Sequence, residues 1–139
     1  MKNQVLSIEQ MQKLKELGAD TSKASMHFLY MPTAKSIMSG VFEVDDEPEV
    51  FVSRKGMDHE NPVFTLQDII ELLQGTKSFY FRKECENFYL KIEKFSDTNY
   101  SISYENSDHF IVGFSGSCLL TCAYNMLIWV AENGYLTSK

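Results

Sequence analysis

The segment Gly113-Phe114-Ser115-Gly116-Ser117 contains the residue types that could do chemistry. It lies between a predicted strand and a predicted helix, a context in which a nucleophile elbow exposes a strained serine beside helix N–H groups. Here the fifth position is serine rather than glycine, and no histidine follows Ser115 in the chain. A serine motif without an acid and a histidine to activate it does not identify a hydrolase. We therefore predict no catalytic residue and no enzyme.

Two other interpretations of this segment involve no reaction. In the first, Ser115 or Ser117 caps the following helix, and the glycines permit a turn. In the second, free N–H groups at the helix start bind phosphate or carboxylate. The anion-binding candidates are then Ser115, Gly116 and Ser117, and the chain is a small-ligand or anion-binding domain that uses the turn at 113–117.

The cysteines and histidines do not form a metal-binding pattern. Cys118 and Cys122 are four residues apart and share a helical face, whereas Cys85 is distant in sequence. Structural zinc sites usually take paired ligands from a short knuckle, and the sequence has no such knuckle. We predict that the thiols are buried and unreactive, that the histidines are structural or solvated, and that the chain holds no metal and no cofactor.

Acidic residues cluster between positions 43 and 49. A calcium loop would need ligands at alternating positions, a central glycine and a later bidentate glutamate. The cluster lacks that pattern, and Pro48 interrupts it. We interpret it as a solvated hairpin turn, with a docking patch for a basic partner as the alternative.

Composition narrows the class of protein. The length of 139 residues suits one domain, predicted to span 1–139, and the hydrophobic content of 44% is typical of globular chains. A formal charge of -6 without a basic stripe argues against nucleic-acid binding. The first residues lack the apolar core of a signal peptide, and the odd number of cysteines favours a reduced, cytoplasmic location.

The pattern of the chain predicts an α+β fold: an antiparallel β-meander packed against a C-terminal helix, with an N-terminal helix and a central helix. Ser7 is the predicted N-cap of the first helix, and Gly18 is its predicted end. Thr65 and Asp68 are close to a capping box and start the central helix, which Gly75 ends. Period-two alternation and turn residues predict the following strands: 25–31, 36–44 and 50–53, then the meander at 77–81, 88–95, 99–104 and 109–114.

No formal charge occurs between Asp108 and Glu132 if His109 is neutral. Glycines and serines interrupt this run, so we predict a strand, a turn and a helix over 117–133 rather than a membrane span. Apolar residues at helical spacing form one core stripe, but the remaining surface of the helix is also poor in charge. The helix is therefore either buried on more than one side or part of a subunit or partner interface. The interface candidates are Trp129, Ile128 and Asn125.

Three segments resemble a group of small, functionally uncharacterised proteins of Bacteroides and related gut bacteria, often found in prophage or mobile-element surroundings. They are LSIEQMQKLKELGADTSKASM, FTLQDIIELL and AYNMLIWVAENGYL. The resemblance implies a bacterial or phage cytoplasmic protein and favours a small interaction protein. It implies no functional residue, because these motifs correspond to helix caps and core faces.

These observations together predict a non-enzymatic cytoplasmic protein that acts through protein contacts. The expected partner is a second copy in a homodimer, with a phage or host factor as the alternative. Neither nucleic acid nor membrane is an expected partner.

Overall fold

The computed structural model describes most of the chain. It covers residues 5–29, 38, 40, 49–53, 61–73, 76–81 and 84–135, and for 76–81 and 84–86 the backbone alone. The helices are α1 (Ile8–Glu16), α2 (Leu66–Leu73) and α3 (Leu119–Glu132), with a 3-10 turn at Thr21–Lys23. The strands are β1 (Met26–Leu29), β2 (Glu49–Val52), β3 (Pro62–Val63), β4 (Thr76–Phe81), β5 (Glu84–Ser96), β6 (Asn99–Glu105) and β7 (Phe110–Gly116).

Local capping interactions start the first two helices. The backbone N–H of Gln10 donates to Ser7 Oγ over 3.1 Å, and the backbone N–H of Ser7 donates to Gln10 Oε1 over 2.8 Å. At α2 the Asp68 N–H donates to Thr65 Oγ1, and the Thr65 N–H donates to Asp68 Oδ2. Each box satisfies N–H groups that have no partner inside the helix. The predicted starts of both helices are confirmed, and Gly18 has the positive φ of 95° expected after α1.

The first three strands form a small antiparallel sheet in the order β2-β1-β3. Met26 of β1 lies opposite Val52 on one side and Val63 on the other. The strands predicted at 25–31 and 50–53 are confirmed over β1 and β2, whereas the short β3 was not predicted. Most of the predicted strand at 36–44 lies outside the described residues, and the two residues described within it, Met38 in helical conformation and Gly40 in a bend with a φ of 73°, are not in a strand. Of the acidic cluster at 43–49 only Glu49 is described, as the exposed first residue of β2. Gly75 lies outside the described residues.

The last four strands form the predicted antiparallel meander, in the order β4-β5-β6-β7. Helix α3 packs on β6 and β7 and also contacts α2. Its buried residues are Cys122, Ala123, Met126, Leu127 and Val130. They join Ile102 and Tyr104 of β6 in a core that also includes Leu14 of α1 and Phe64 beside β3. The predicted α+β fold, with a C-terminal helix on a meander, is confirmed.

Candidate functional site

The predicted turn at 113–117 is wrong over most of its length. Strand β7 continues to Gly116, so that Ser115 lies opposite Ser101 and Gly113 lies opposite Ser103 in β6. The N-cap of α3 is Cys118, and no side chain caps it by a hydrogen bond. Neither Ser115 nor Ser117 caps the helix. Glycine and serine tolerate both turns and strands, and here pairing with β6 determines the conformation.

The anion-binding candidates Ser115 and Gly116 lie on opposite faces of β7. A Cβ atom on Gly116 would lie 3.6 Å from Cys122 Sγ, so this position faces α3. Successive residues of a strand point to opposite faces, and Ser115 therefore points away from α3. Only Gly116 and Ser117 remain near the start of the helix. Anion binding at this point stays a prediction, without Ser115 as a member of the site.

The two cysteines of α3 differ in environment. Cys122 is buried, as predicted, and burial raises the pKa of its thiol. Cys118 is exposed, so the prediction of a buried thiol is wrong at this position. Its interaction with the Thr121 side chain, and then with the Thr121 backbone, lowers the pKa of the Cys118 thiol. Residues at a helix start point toward solvent more readily than residues in the next turn, and stabilisation of the thiolate there is expected.

The interface candidates lie on the outer side of α3. Asn125 is exposed, while Ile128 and Trp129 are half-buried. The indole ring of Trp129 stacks on the ring of Tyr135, with 5.8 Å between centroids and 25° between planes. Gly134 has a φ of 76°, a conformation that favours glycine, and the chain turns there so that the Tyr135 N–H donates to the Val130 carbonyl.

The outer side of α3 differs from that of α1 in charge. Most exposed residues of α1 are charged: Glu9, Lys13, Lys15 and Glu16. The exposed residues of α3 are Thr121, Asn125 and Glu132, so the first charge appears at the end of the helix. Surface helices normally carry charged residues on the side away from the core. The outer side of α3 departs from that pattern, since it is uncharged as far as Glu132.

The face of the meander opposite α3 carries a charged cluster. Lys91 Nζ lies 2.7 Å from Glu93 Oε1 and 3.1 Å from Glu105 Oε1. Hydrogen bonds to Glu93 and then Glu105 raise the pKa of Lys91. Ser103 Oγ donates to the other oxygen of Glu105 over 3.1 Å. Because these ion pairs are solvated, they position side chains more than they stabilise the fold.

No protein-family model matches this chain, and neither a curated protein nor a solved structure matches it. The resemblance to the Bacteroides group therefore stays a prediction. Function must be inferred from the geometry of the chain itself.

One serine–histidine contact was not predicted from the sequence. His27 Nδ1 of β1 lies 3.0 Å from Ser53 Oγ, which directly follows β2. In catalytic triads the serine contacts Nε2, and Nδ1 faces the acid. The contact therefore has the geometry of a structural pair between neighbouring strands. Only the β1–β2 pairing brings the two residues together, and no local motif marks them.

A groove of about 200 Å³ lies beside α1. Met11, Lys15, Thr21 and Asn61 are among its lining residues. Sites for small organic ligands usually enclose roughly 300–1,000 Å³, so this groove is small for such a ligand. Within the described parts of the chain, no three metal-ligating side chains lie together, and no helix has the length and apolarity to cross a membrane.

Proposed function

We propose that this protein is a non-enzymatic, cytoplasmic protein that acts by contacting another protein chain, in the first instance a second copy of itself. One observation carries the proposal. The segment from Phe110 to Ala131 has no charged residue, yet it forms the edge strand β7 and the outer side of α3. The cytoplasmic location and a bacterial or phage setting come from the sequence interpretation alone.

The composition of this segment suits an interface. The buried centres of interfaces are depleted in charged residues and enriched in aromatic residues. Asn125, Ile128 and Trp129 fit that description on α3, and Phe110 fits it on β7. Removing such residues from water carries no cost for burying an unpaired charge.

The charge of the whole chain supports the same surface. At a formal charge of -6, two copies repel each other. Contact through the uncharged segment keeps the acidic residues of the two copies far apart. Salt screens the repulsion between charges at such distances. We therefore expect association to strengthen as ionic strength rises.

Static light scattering over a wide concentration range tests the proposal. We expect a wild-type dimer, and we expect a Ser115→Lys, Asn125→Lys double variant to be monomeric because both lysines lie in the uncharged segment. The matched control is Gln12→Lys, Thr98→Lys, which adds the same charge at two exposed positions outside the segment. A wild-type monomer at every concentration, or equal effects of the two double variants, would contradict the proposal.

The second candidate function is anion binding at the start of α3. It is favoured by the first-turn N–H groups, which no side chain caps. Thermal unfolding with and without inorganic phosphate is the test. Phosphate stabilisation of the wild type that is lost in Ser117→Ala but kept in Ser115→Ala would support this candidate, because only Ser117 lies beside the helix. The same midpoint with and without phosphate would exclude it for this anion.

A further inference from the structure

Strand β7 is an edge strand among the described residues. It pairs with β6 alone, so its other side presents backbone N–H and C=O groups that no described strand satisfies. Natural sheets protect such edges with lysine, proline, bulges or covering loops, because an open edge pairs readily with another chain. The seven residues Phe110–Gly116 contain no charge and no proline, and the register shift against β6 is confined to the start of the strand, between Phe110 and Val112. From Val112 to Gly116 the strand is regular, and its composition favours pairing.

Phe110 is the first residue of this strand, and its ring reaches to the middle of it. Its side chain is 58% exposed, yet its ring lies along the strand over Gly113. Phe110 Cζ is 2.8 Å from the point that a Cβ atom on Gly113 would occupy. Ser103 borders the same point, so the ring covers the sheet face opposite α3. A large apolar ring thus lies over the central residue of a free strand.

We propose that two copies of the chain pair through β7, antiparallel, about a twofold axis at Gly113. The inference rests on the proposed function and specifies its interface. Joined in this way, the two four-stranded sheets form one continuous sheet. The contact is isologous, because the same strand serves both copies, and it closes without leaving a free β7 edge.

This register pairs uncharged residues. In the regular part of the strand, Gly113 lies opposite Gly113 of the second copy, and Val112 lies opposite Phe114. The axis is perpendicular to the sheet, so the two Phe110 rings lie on the same face. Because each ring reaches to Gly113 at the axis, the two rings meet there. Aromatic pairs of this kind contribute beyond the area that they bury.

Strand pairing alone buries less than the roughly 1,600 Å² of a standard interface. Helix α3 packs on β6 and β7, next to the axis. The two copies of α3 therefore lie on the same face of the joined sheet. Their uncharged outer sides are available to extend the interface, which accounts for the absence of charge on both elements.

Light scattering and hydrogen exchange on the full chain test the inference. We expect Ser115→Lys, at the exposed edge, to raise the dimer dissociation constant about tenfold or more. Thr98→Lys, in the β5–β6 turn, is the matched control and should leave it unchanged. In the wild type, backbone amides of 110–116 should exchange more slowly as concentration rises, a readout that needs no variant to fold.

Different results overturn the inference and the proposed function. A dimer whose 110–116 amides exchange at the same rate at every concentration, and which Asn125→Lys dissociates but Ser115→Lys does not, refutes β7 pairing while the proposed function stands. A wild-type monomer at every concentration refutes both. Slower exchange over 110–116 together with loss of the dimer in Ser115→Lys supports both.

Discussion

The hydroxyl group of Tyr104 donates a hydrogen bond of 2.7 Å to the backbone carbonyl of Leu73. Leu73 is the last residue of α2, and the carbonyl groups of the last turn of a helix receive no hydrogen bond from within the helix. Tyr104 is fully buried in β6, so the meander supplies the polar partner that the end of the central helix requires. This bond connects α2 to the meander.

We expect Tyr104→Phe to lower the free energy of unfolding by about 1–2 kcal/mol, because it leaves a buried carbonyl without its donor. Urea denaturation measures the change. The control is Tyr89→Phe, which removes the same hydroxyl from a side chain that is 59% exposed and should change stability by less than about 0.5 kcal/mol. Equal effects of the two substitutions would mean that the Tyr104 bond contributes nothing.

Alkaline pH should destabilise the protein partly through the same residue. Burial raises the pKa of Tyr104 well above its ordinary value, while the unfolded chain releases this proton near pH 10. Above that pH the folded state holds more protons than the unfolded state, so the free energy of unfolding falls as pH rises. Tyr104→Phe should make this fall less steep, as measured by urea denaturation between neutral pH and pH 11. An unchanged slope would contradict the prediction.

Asp68 should be among the most sensitive polar positions. Its Oδ2 accepts hydrogen bonds from the Ser25 N–H, the Ser25 hydroxyl and the Thr65 N–H, at 2.8 to 3.0 Å. Asp68→Ala removes all three and should lower the free energy of unfolding by about 2–3 kcal/mol. Glu71→Ala, at an exposed position of the same helix, is the control and should have little effect. A similar loss of stability in Asp68→Ala and Glu71→Ala would mean that the loss comes from removing a negative charge from the helix rather than from these hydrogen bonds.

A methyl group on Gly113 would meet the tip of the Phe110 ring. The backbone of Gly113 is not left-handed, so the obstacle is steric: Phe110 Cζ would lie 2.8 Å and Ser103 Cβ 3.2 Å from the added carbon atom. Because the exposed ring can rotate away, Gly113→Ala should cost about 1 kcal/mol or less. In a Phe110→Ala background the same substitution should cost much less, which a double-mutant cycle in monomeric solution measures. Additive costs would show that the ring does not restrict this position.

The two thiols of α3 should differ in reactivity. Iodoacetamide should modify Cys118 faster than Cys122, because Cys118 is exposed with a lowered pKa and Cys122 is buried with a raised pKa. Peptide mass mapping over time separates the two sites. Thr121→Val should slow the reaction at Cys118. Equal rates at both sites in the folded protein would contradict the assignment.

The sequence predicted those parts of the fold that depend on neighbouring residues. Both capping boxes lie within four residues of chain, and alternation within each strand is sufficient to predict the meander. The wrong predictions involve distant partners. The glycine and serine neighbours of Ser115 favour a turn, but pairing with Ser101 places Ser115 in β7. The exposure of Cys118 likewise depends on where β7 ends.

Part of the candidate site was also accessible from the sequence. The uncharged run and the candidates Asn125, Ile128 and Trp129 could be found by inspection. The free edge could not, because alternation and turn residues predict the hairpins but not whether another part of the chain pairs with the last strand. The position of the Phe110 ring over Gly113 could not be predicted either, because residues three apart in a regular strand point to opposite faces.

The hydrogen bonds between Ser25 and Asp68 bear on the folding pathway. They join residues 43 positions apart, whereas each strand of the meander pairs with its immediate neighbour in the chain. Closing a long loop costs more entropy than closing a hairpin, and contacts of low sequence separation form faster. We expect the transition state to contain the meander with α3, and the small sheet to dock later. Substitutions at Asp68 should therefore accelerate unfolding and leave the refolding rate almost unchanged.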